Sequence, residues 1–283
     1  MGTRGKVLIT AEELAEHLDP GRPVTILDVR WQLGEPDGRE AYRQGHLPGA
    51  VYVSLEDELT DHTVTGRGRH PLPSGRGVEA AARRWGVRRH APVVAYDDWN
   101  RAGSARAWWV LTAAGVPDVC ILDGGLGAWT AAGGALETGT VVPEPGDVAV
   151  SHDDLYAGAN PTLSAKQAAA VGVLLDARAP ERFRGDVEPV DPVAGHIPGA
   201  RNVPSTSVLA EDGTFRGGDE LTGLFAQRGA DGATDVGVYC GSGVTAVVTL
   251  AALATVGVDA ALFPGSWSEW ISDAARPVAR GPE

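Results

Sequence analysis

Leu174-Leu175-Asp176-Ala177-Arg178, followed by Gly195-His196-Ile197-Pro198-Gly199-Ala200, has a counterpart earlier in the chain: Ile26-Leu27-Asp28-Val29-Arg30, followed by Gly45-His46-Leu47-Pro48-Gly49-Ala50. The correspondence continues outward. VVAYDDWNRAGSARAWWVLTAAGV, starting at Val93, matches VGVYCGSGVTAVVTLAALATVGV, starting at Val236, and LDGGLGAW at Leu122 matches FPGSWSEW at Phe263. Three blocks recur in one order, which chance placement of Gly and Pro rarely produces, so the chain reads as two copies of one domain. The expected boundaries are residues 1–138, a linker over 139–160, and residues 161–283. The connecting stretch from Leu136 to Asn160 carries Pro and Gly punctuation and no sustained helical period.

Each copy alternates short apolar runs with Ala-rich segments. VTILDVR and VGVLLDAR end in charge and suit buried strands, as do VVAYDD, VGVYC, VCILDGG and AALFPGS. ARAWWVLTAAG and TAVVTLAALATVG have helical composition and stop near Gly. Strands alternating with helices predict an α/β fold: in each domain a mainly parallel sheet, flanked by helices on both faces. In such sheets, sites form in the loops beyond the carboxyl ends of the strands.

Composition excludes several classes. The 283 residues are 43% apolar and 22% charged, enough for two buried cores, and the net charge of -13 argues against a nucleic-acid partner. No run of 18 apolar residues spans a membrane, and the opening MGTRGKVLITAEELAEHL lacks the apolar run of a secretory signal. Gly2 follows Met1, but Lys6 breaks the myristoylation pattern. Two cysteines, Cys120 and Cys240, make neither a disulfide framework nor a four-ligand zinc site, so a reducing cytoplasmic setting is expected. Neither a metal nor an organic cofactor is implied.

Cys240 ends the predicted strand Val236–Tyr239, and Gly241-Ser242-Gly243-Val244-Thr245-Ala246 leads from it into an apolar helix. Glycines let the backbone turn tightly, so that several N–H groups from Gly241 to Thr245 point at one spot. The helix N-terminus adds partial positive charge, and together these favour an anionic sulfur there. A nucleophile is the reading; a buried inert cysteine is the alternative. In the first copy Asp97 follows the matching Tyr96, so that copy lacks the nucleophile and reads as a non-catalytic partner that covers or shapes the site. Cys120, inside the run VPDVCILDGG, is assigned to the core.

Two rival motifs fail. The loop matches Gly-x-Gly-x-x-Ala, with Asp259 near the acidic position of a dinucleotide site, but it lies late in its domain instead of in the first strand–helix turn. A cysteine phosphatase needs an arginine on the same loop to clamp phosphoryl oxygens; position 246 is Ala246, and neither Arg nor Lys occurs from Cys240 to Ala261.

Together, these residues resemble the tandem rhodanese-domain sulfurtransferases over nearly the whole chain: the duplicated Asp-x-Arg and Gly-His-x-Pro-Gly-Ala pairs, the Cys-led loop in the second copy, and Gly265-Ser266-Trp267 near the end. The resemblance implies two similar α/β domains. It also implies a Cys240 persulfide that moves sulfane sulfur from a small donor to cyanide or a thiol. CGSGVTA looks like the loop of 3-mercaptopyruvate sulfurtransferases, whereas thiosulfate-preferring relatives more often carry basic residues there. 3-Mercaptopyruvate is therefore the expected donor, thiosulfate the alternative, and a persulfide carrier with little small-molecule turnover the reading from another class. In the mercaptopyruvate branch a serine, a histidine and an acid act together. Ser242 and His70 match the first two, and Glu56, with Asp57 beside it, is nearest to the third. Arg182 matches one arginine for the donor carboxylate. Val190 and Asp191 stand where a second is expected, and Pro264 stands where the family often has aspartate. Asp28, Arg30, His46, Asp176, Arg178 and His196 recur in both copies, although only one has a nucleophile, and are therefore expected to be structural.

Overall fold

The computed structural model describes residues 2–18 and 23–282. The chain divides into two compact units. The first comprises residues up to Asp61, Leu72–Asn160 and Ala210–Phe215; the second comprises His62–Pro71, Pro161–Leu209 and residues from Arg216 onward. Two segments therefore depart from a simple N-terminal and C-terminal division. Residues 62–71 pack on the Cys240 loop, and residues 210–215 pack on the Asp97 loop. The stretch read as a linker is laid along the first unit: Gly75 N–H donates to the Asp153 carbonyl, and Gly146 N–H to that of Arg83.

The first unit runs β1 (Leu8–Ile9), α1 (Ala11–His17), β2 (Thr25–Asp28), α2 (Arg39–Gln44), β3 (Val51–Tyr52), α3 (Leu55–Glu58), α4 (Gly75–Arg84), β4 (Val93–Tyr96), α5 (Ala102–Ala113), β5 (Val119–Leu122) and α6 (Gly125–Ala131). Its five strands are parallel, in the order β1-β5-β4-β2-β3. The second unit runs α7 (Ala165–Ala168), β6 (Val173–Asp176), α8 (Pro180–Arg184), β7 (Arg201–Asn202), α9 (Gly218–Ala226), β8 (Val236–Tyr239), α10 (Ala246–Thr255), β9 (Ala260–Leu262) and α11 (Ser266–Trp270). Its sheet is also parallel, in the order β7-β6-β8-β9.

Every residue of β2, β4, β6 and β8 is buried, the pattern of central strands covered on both faces. The chain leaves β6 for β7 on one side and for β8 on the other. Cys240 is the first residue past β8 and thus stands at the switch point of its sheet.

The duplicated charged pairs do the same work in each unit. Arg30 donates to Asp28 and to the Gly45 carbonyl; Arg178 donates to Asp176 and, at 2.7 Å, to the Gly195 carbonyl. Tyr96 and Tyr239 accept from the N–H groups of Leu47 and Ile197, both at 3.1 Å. His46 stacks on Tyr42 and His196 on Phe183, with centroids 4.1 and 3.8 Å apart. Each ring also places Nδ1 against a helix carbonyl.

In the first unit burial raises the Asp28 carboxyl to about 6, against the pull of Arg30 and Tyr96. The folded state therefore holds this proton more tightly than the unfolded chain. Its contribution to stability is fully present below the ordinary value of 3.8 and is lost as pH rises through about 6. Urea titrations of the wild type between these limits are expected to show a loss of about 3 kcal/mol attributable to this group. Asp28→Asn should flatten that slope, and an unchanged slope in the variant would assign it elsewhere.

Candidate active site

Cys240 is 1% exposed, and the loop after it is held from three directions. Gly243 has φ of +80°, a conformation open to glycine, and an added Cβ would meet the Pro264 carbonyl at 2.4 Å. That turn aims the Gly243 N–H at Cys240 Sγ, 3.1 Å away. Of the N–H groups from Gly241 to Thr245 expected to point at the sulfur, that of Gly243 donates to it. Val244 is buried, and Thr245 begins α10 without a side-chain cap. On the other flank Ser266, with φ of +52°, accepts from Cys240 N–H at 3.1 Å and donates to the Phe263 carbonyl. Ser266 occupies the repeat position of Gly125, whose φ is +57°. The second copy thus keeps the left-handed turn but adds a hydroxyl that fixes the nucleophile's backbone. Trp267 and Ser268 N–H groups donate to the carbonyls of Cys240 and Gly241.

The third direction is the segment His62–Pro71. Gly68, with φ of +82°, lies so close to Gly265 that an added Cβ would sit 2.4 Å from its carbonyl oxygen. Arg69 N–H donates to Ser268 Oγ at 3.0 Å. The next residue, His70, is 4% exposed and places Nδ1 2.7 Å from Ser242 Oγ. The structure thus brings together Cys240, Ser242 and His70. Glu56 lies in the first turn of α3 and accepts from the Trp31 indole N–H at 2.7 Å. Asp57 is engaged in capping α3, accepting from Ser54 Oγ at 2.8 Å.

Two guanidinium groups border Gly241. An added Cβ there would lie 3.3 Å from Arg69 Nη2 and 3.7 Å from both terminal nitrogens of Arg182. Arg182 was legible in the sequence and Arg69 was not. Arg69 belongs to no repeated block, and the one signal was its place beside His70. Arg182 is itself engaged: it donates to Glu188 at 2.6 and 3.2 Å and to Asp191 at 3.2 Å. Burial opposes ionisation of Glu188, yet the hydrogen bonds from Arg182 and from the Asp191 and Val190 N–H groups win and hold it below the usual range.

A rhodanese-like domain matches residues 10–132 and again residues 160–273. The chain belongs to the tandem rhodanese-domain sulfurtransferases. It is 69% identical, across 99% of both chains, to a Mycobacterium tuberculosis protein named "Putative thiosulfate sulfurtransferase SseB". It is 44% identical to a "Probable 3-mercaptopyruvate sulfurtransferase" of Pseudomonas aeruginosa, covering 97% of this chain and 98% of the relative. The crystal structure of the 3-mercaptopyruvate sulfurtransferase SseA from Escherichia coli superposes with a TM-score of 0.79 at 34% identity, over 92% of this chain and 98% of that one. The protein is therefore a rhodanese-fold enzyme that transfers sulfane sulfur through a cysteine intermediate, and both units have the rhodanese fold.

The other thiol has a different environment. Cys120 lies on β5 and is half-buried instead of in the core, with Sγ 3.8 Å from the Lys6 carbonyl. Desolvation pushes it up to about 11, with Asp118 and Glu13 adding to the shift, so it is a poor nucleophile. Among the described residues no helix is long and apolar enough to cross a membrane.

Proposed function

We propose that the sulfur donor is thiosulfate and that Cys240 is the residue carrying the persulfide to cyanide or a thiol. The observation that carries the donor assignment is the pair Arg69 and Arg182 at Gly241. The sequence offered one arginine beside a neutral loop, which suits a monoanion. Two guanidinium groups beside the nucleophile, although their charges are offset by Glu188 and Asp191, offer more N–H donors to the several oxygens of thiosulfate than one would, and the name of the 69% identical relative points the same way. In the first step Cys240 thiolate attacks the outer sulfur of thiosulfate; the donor's S–S bond breaks and sulfite leaves with its electron pair. The persulfide anion is held by the Gly243 N–H and the α10 N-terminus. Cyanide then takes the terminal sulfur as thiocyanate and restores the thiolate.

The contact between Ser242 and His70 favours a second reading, 3-mercaptopyruvate. Breaking its C–S bond leaves an enolate, which needs a proton at carbon, whereas sulfite leaves as a stable anion. Ser242 and His70 are the proposed relay for that proton. The test is the ratio of kcat/KM for the two donors with cyanide as acceptor. A higher value for thiosulfate is expected, and the reverse order overturns the thiosulfate assignment. A stable persulfide with negligible turnover on both donors would point to a carrier instead. Ser242→Ala is expected to cost mercaptopyruvate turnover about 100-fold and thiosulfate turnover less than about 5-fold; equal losses would remove the relay.

A further inference from the structure

Six charged side chains alternate in sign from the centre of the second sheet to the nucleophile's loop: Asp176, Arg178, Glu188, Arg182, Asp191 and Arg69. Arg178 reaches Asp176 at 2.7 Å and Glu188 at 3.4 Å; Arg182 reaches Glu188 at 2.6 Å and Asp191 at 3.2 Å; Arg69 closes the chain on the other oxygen of Asp191. Three acids face three bases, so the formal charge of the chain is zero although two arginines border the loop.

Asp191 is the pivotal member. Its side chain is 3% exposed, and its two oxygens are divided between the two arginines that face Gly241. It cannot swing away freely, because its own N–H and that of Val190 both donate to Glu188 Oε1 at 3.1 Å. Val190 and Asp191 together stand where the family resemblance leads one to expect an arginine. An acid therefore stands where a base was expected, and it contacts both arginines.

We infer that Asp191 is the specificity-determining residue of the donor site, holding Arg69 and Arg182 toward Gly241 while cancelling one of their two charges. The inference rests on the reading that the donor's anionic group binds at Gly241 beside these arginines. Electrostatic energy scales with ligand charge. A change of one charge at position 191 must therefore act on a dianion with about the square of its effect on a monoanion, while a purely structural role would move both donors together.

The test measures binding by calorimetry in a Cys240→Ser background, where donors bind without transferring sulfur. Adding Asp191→Asn is expected to tighten thiosulfate about 25-fold and 3-mercaptopyruvate about 5-fold. Asp191→Glu, which keeps the charge, should leave the ratio of the two Kd values within about 2-fold of the parent. Arg69→Gln is an independent variant with the opposite sign: it should weaken thiosulfate more than mercaptopyruvate. Combining it with Asp191→Asn should return the ratio to its parent value. Equal changes for the two anions, weaker binding of both in Asp191→Asn, or no binding of either to the parent would overturn the proposal. Failure of the underlying sulfurtransfer reading shows separately, as wild-type enzyme that gains no sulfur mass on incubation with donor.

Discussion

Cys240→Ser is expected to lower sulfur transfer to cyanide by at least about 10⁴-fold, from thiosulfate and 3-mercaptopyruvate alike, while leaving the fold intact. The expectation follows from what the loop contributes and what it leaves to the sulfur. Gly243 N–H, 3.1 Å from Sγ, is as good a donor to a hydroxyl as to a thiol. The backbone contacts to Ser266, Trp267 and Ser268 do not involve the side chain. A serine therefore fits, and stability should change by no more than about 1 kcal/mol. An alkoxide is far less accessible at neutral pH than a thiolate, and it cannot form the sulfur–sulfur bond in which the transferred atom resides. Wild-type enzyme incubated with donor should gain about 32 Da, one sulfur atom, on the peptide containing Cys240. The variant should gain none, and Cys120 should stay unmodified in both. Turnover above about 1% of wild type would mean that another group carries the sulfur.

The fold was legible because its determinants are local and duplicated. Strands such as Val173–Asp176 and Val236–Tyr239 are short apolar runs whose ends the repeat confirms. The Cys240 loop was legible because a strand end, glycines and a helix start are adjacent in sequence. The pairing of Ser242 with His70 was reached through resemblance, since these residues are 172 positions apart. What escaped the sequence is what only the folded chain juxtaposes. Residues 62–71 lie in the first half but pack against the second unit's nucleophile, so Arg69 carried no periodic or motif signal. Asp191 read as a missing arginine, because the base that fills out the pair comes from that distant segment. Ser266 could have been found: the repeat places it on Gly125, and a residue aligned with a glycine that needs positive φ is a candidate for a strained, functional turn.

The same comparison of copies explains Asp97, and it leads to the largest stability effect expected in the molecule. In the second unit the loop after β8 aims the Gly243 N–H at a sulfur; in the first the loop after β4 surrounds the Asp97 carboxylate. Asp97 is 3% exposed and accepts from the N–H groups of Trp99, Arg101 and Ser104 at 3.1, 3.2 and 3.0 Å, and from Ser104 Oγ at 2.7 Å. It also pairs at 3.0 Å with Arg101, which is 2% exposed and held at φ of +62°. The loop in the first copy is thus a closed structural ion pair. It is further enclosed by residues 210–215, whose Phe215 N–H donates to Asp123 at 2.7 Å. Arg101 Nε and Nη1 are already buried without hydrogen-bond partners, so the cation has little to fall back on. Asp97→Ala should therefore destabilise the first unit by about 3–5 kcal/mol, the cost of stranding a buried charge and its N–H donors. Hydrogen exchange at the β4 amides and urea denaturation both report it. The double variant Asp97→Ala with Arg101→Met should recover part of the loss, because the stranded cation is gone. Below the unfolding transition, the single variant should still acquire sulfur on Cys240. A loss under about 1 kcal/mol would mean that the loop holds its shape without the carboxylate.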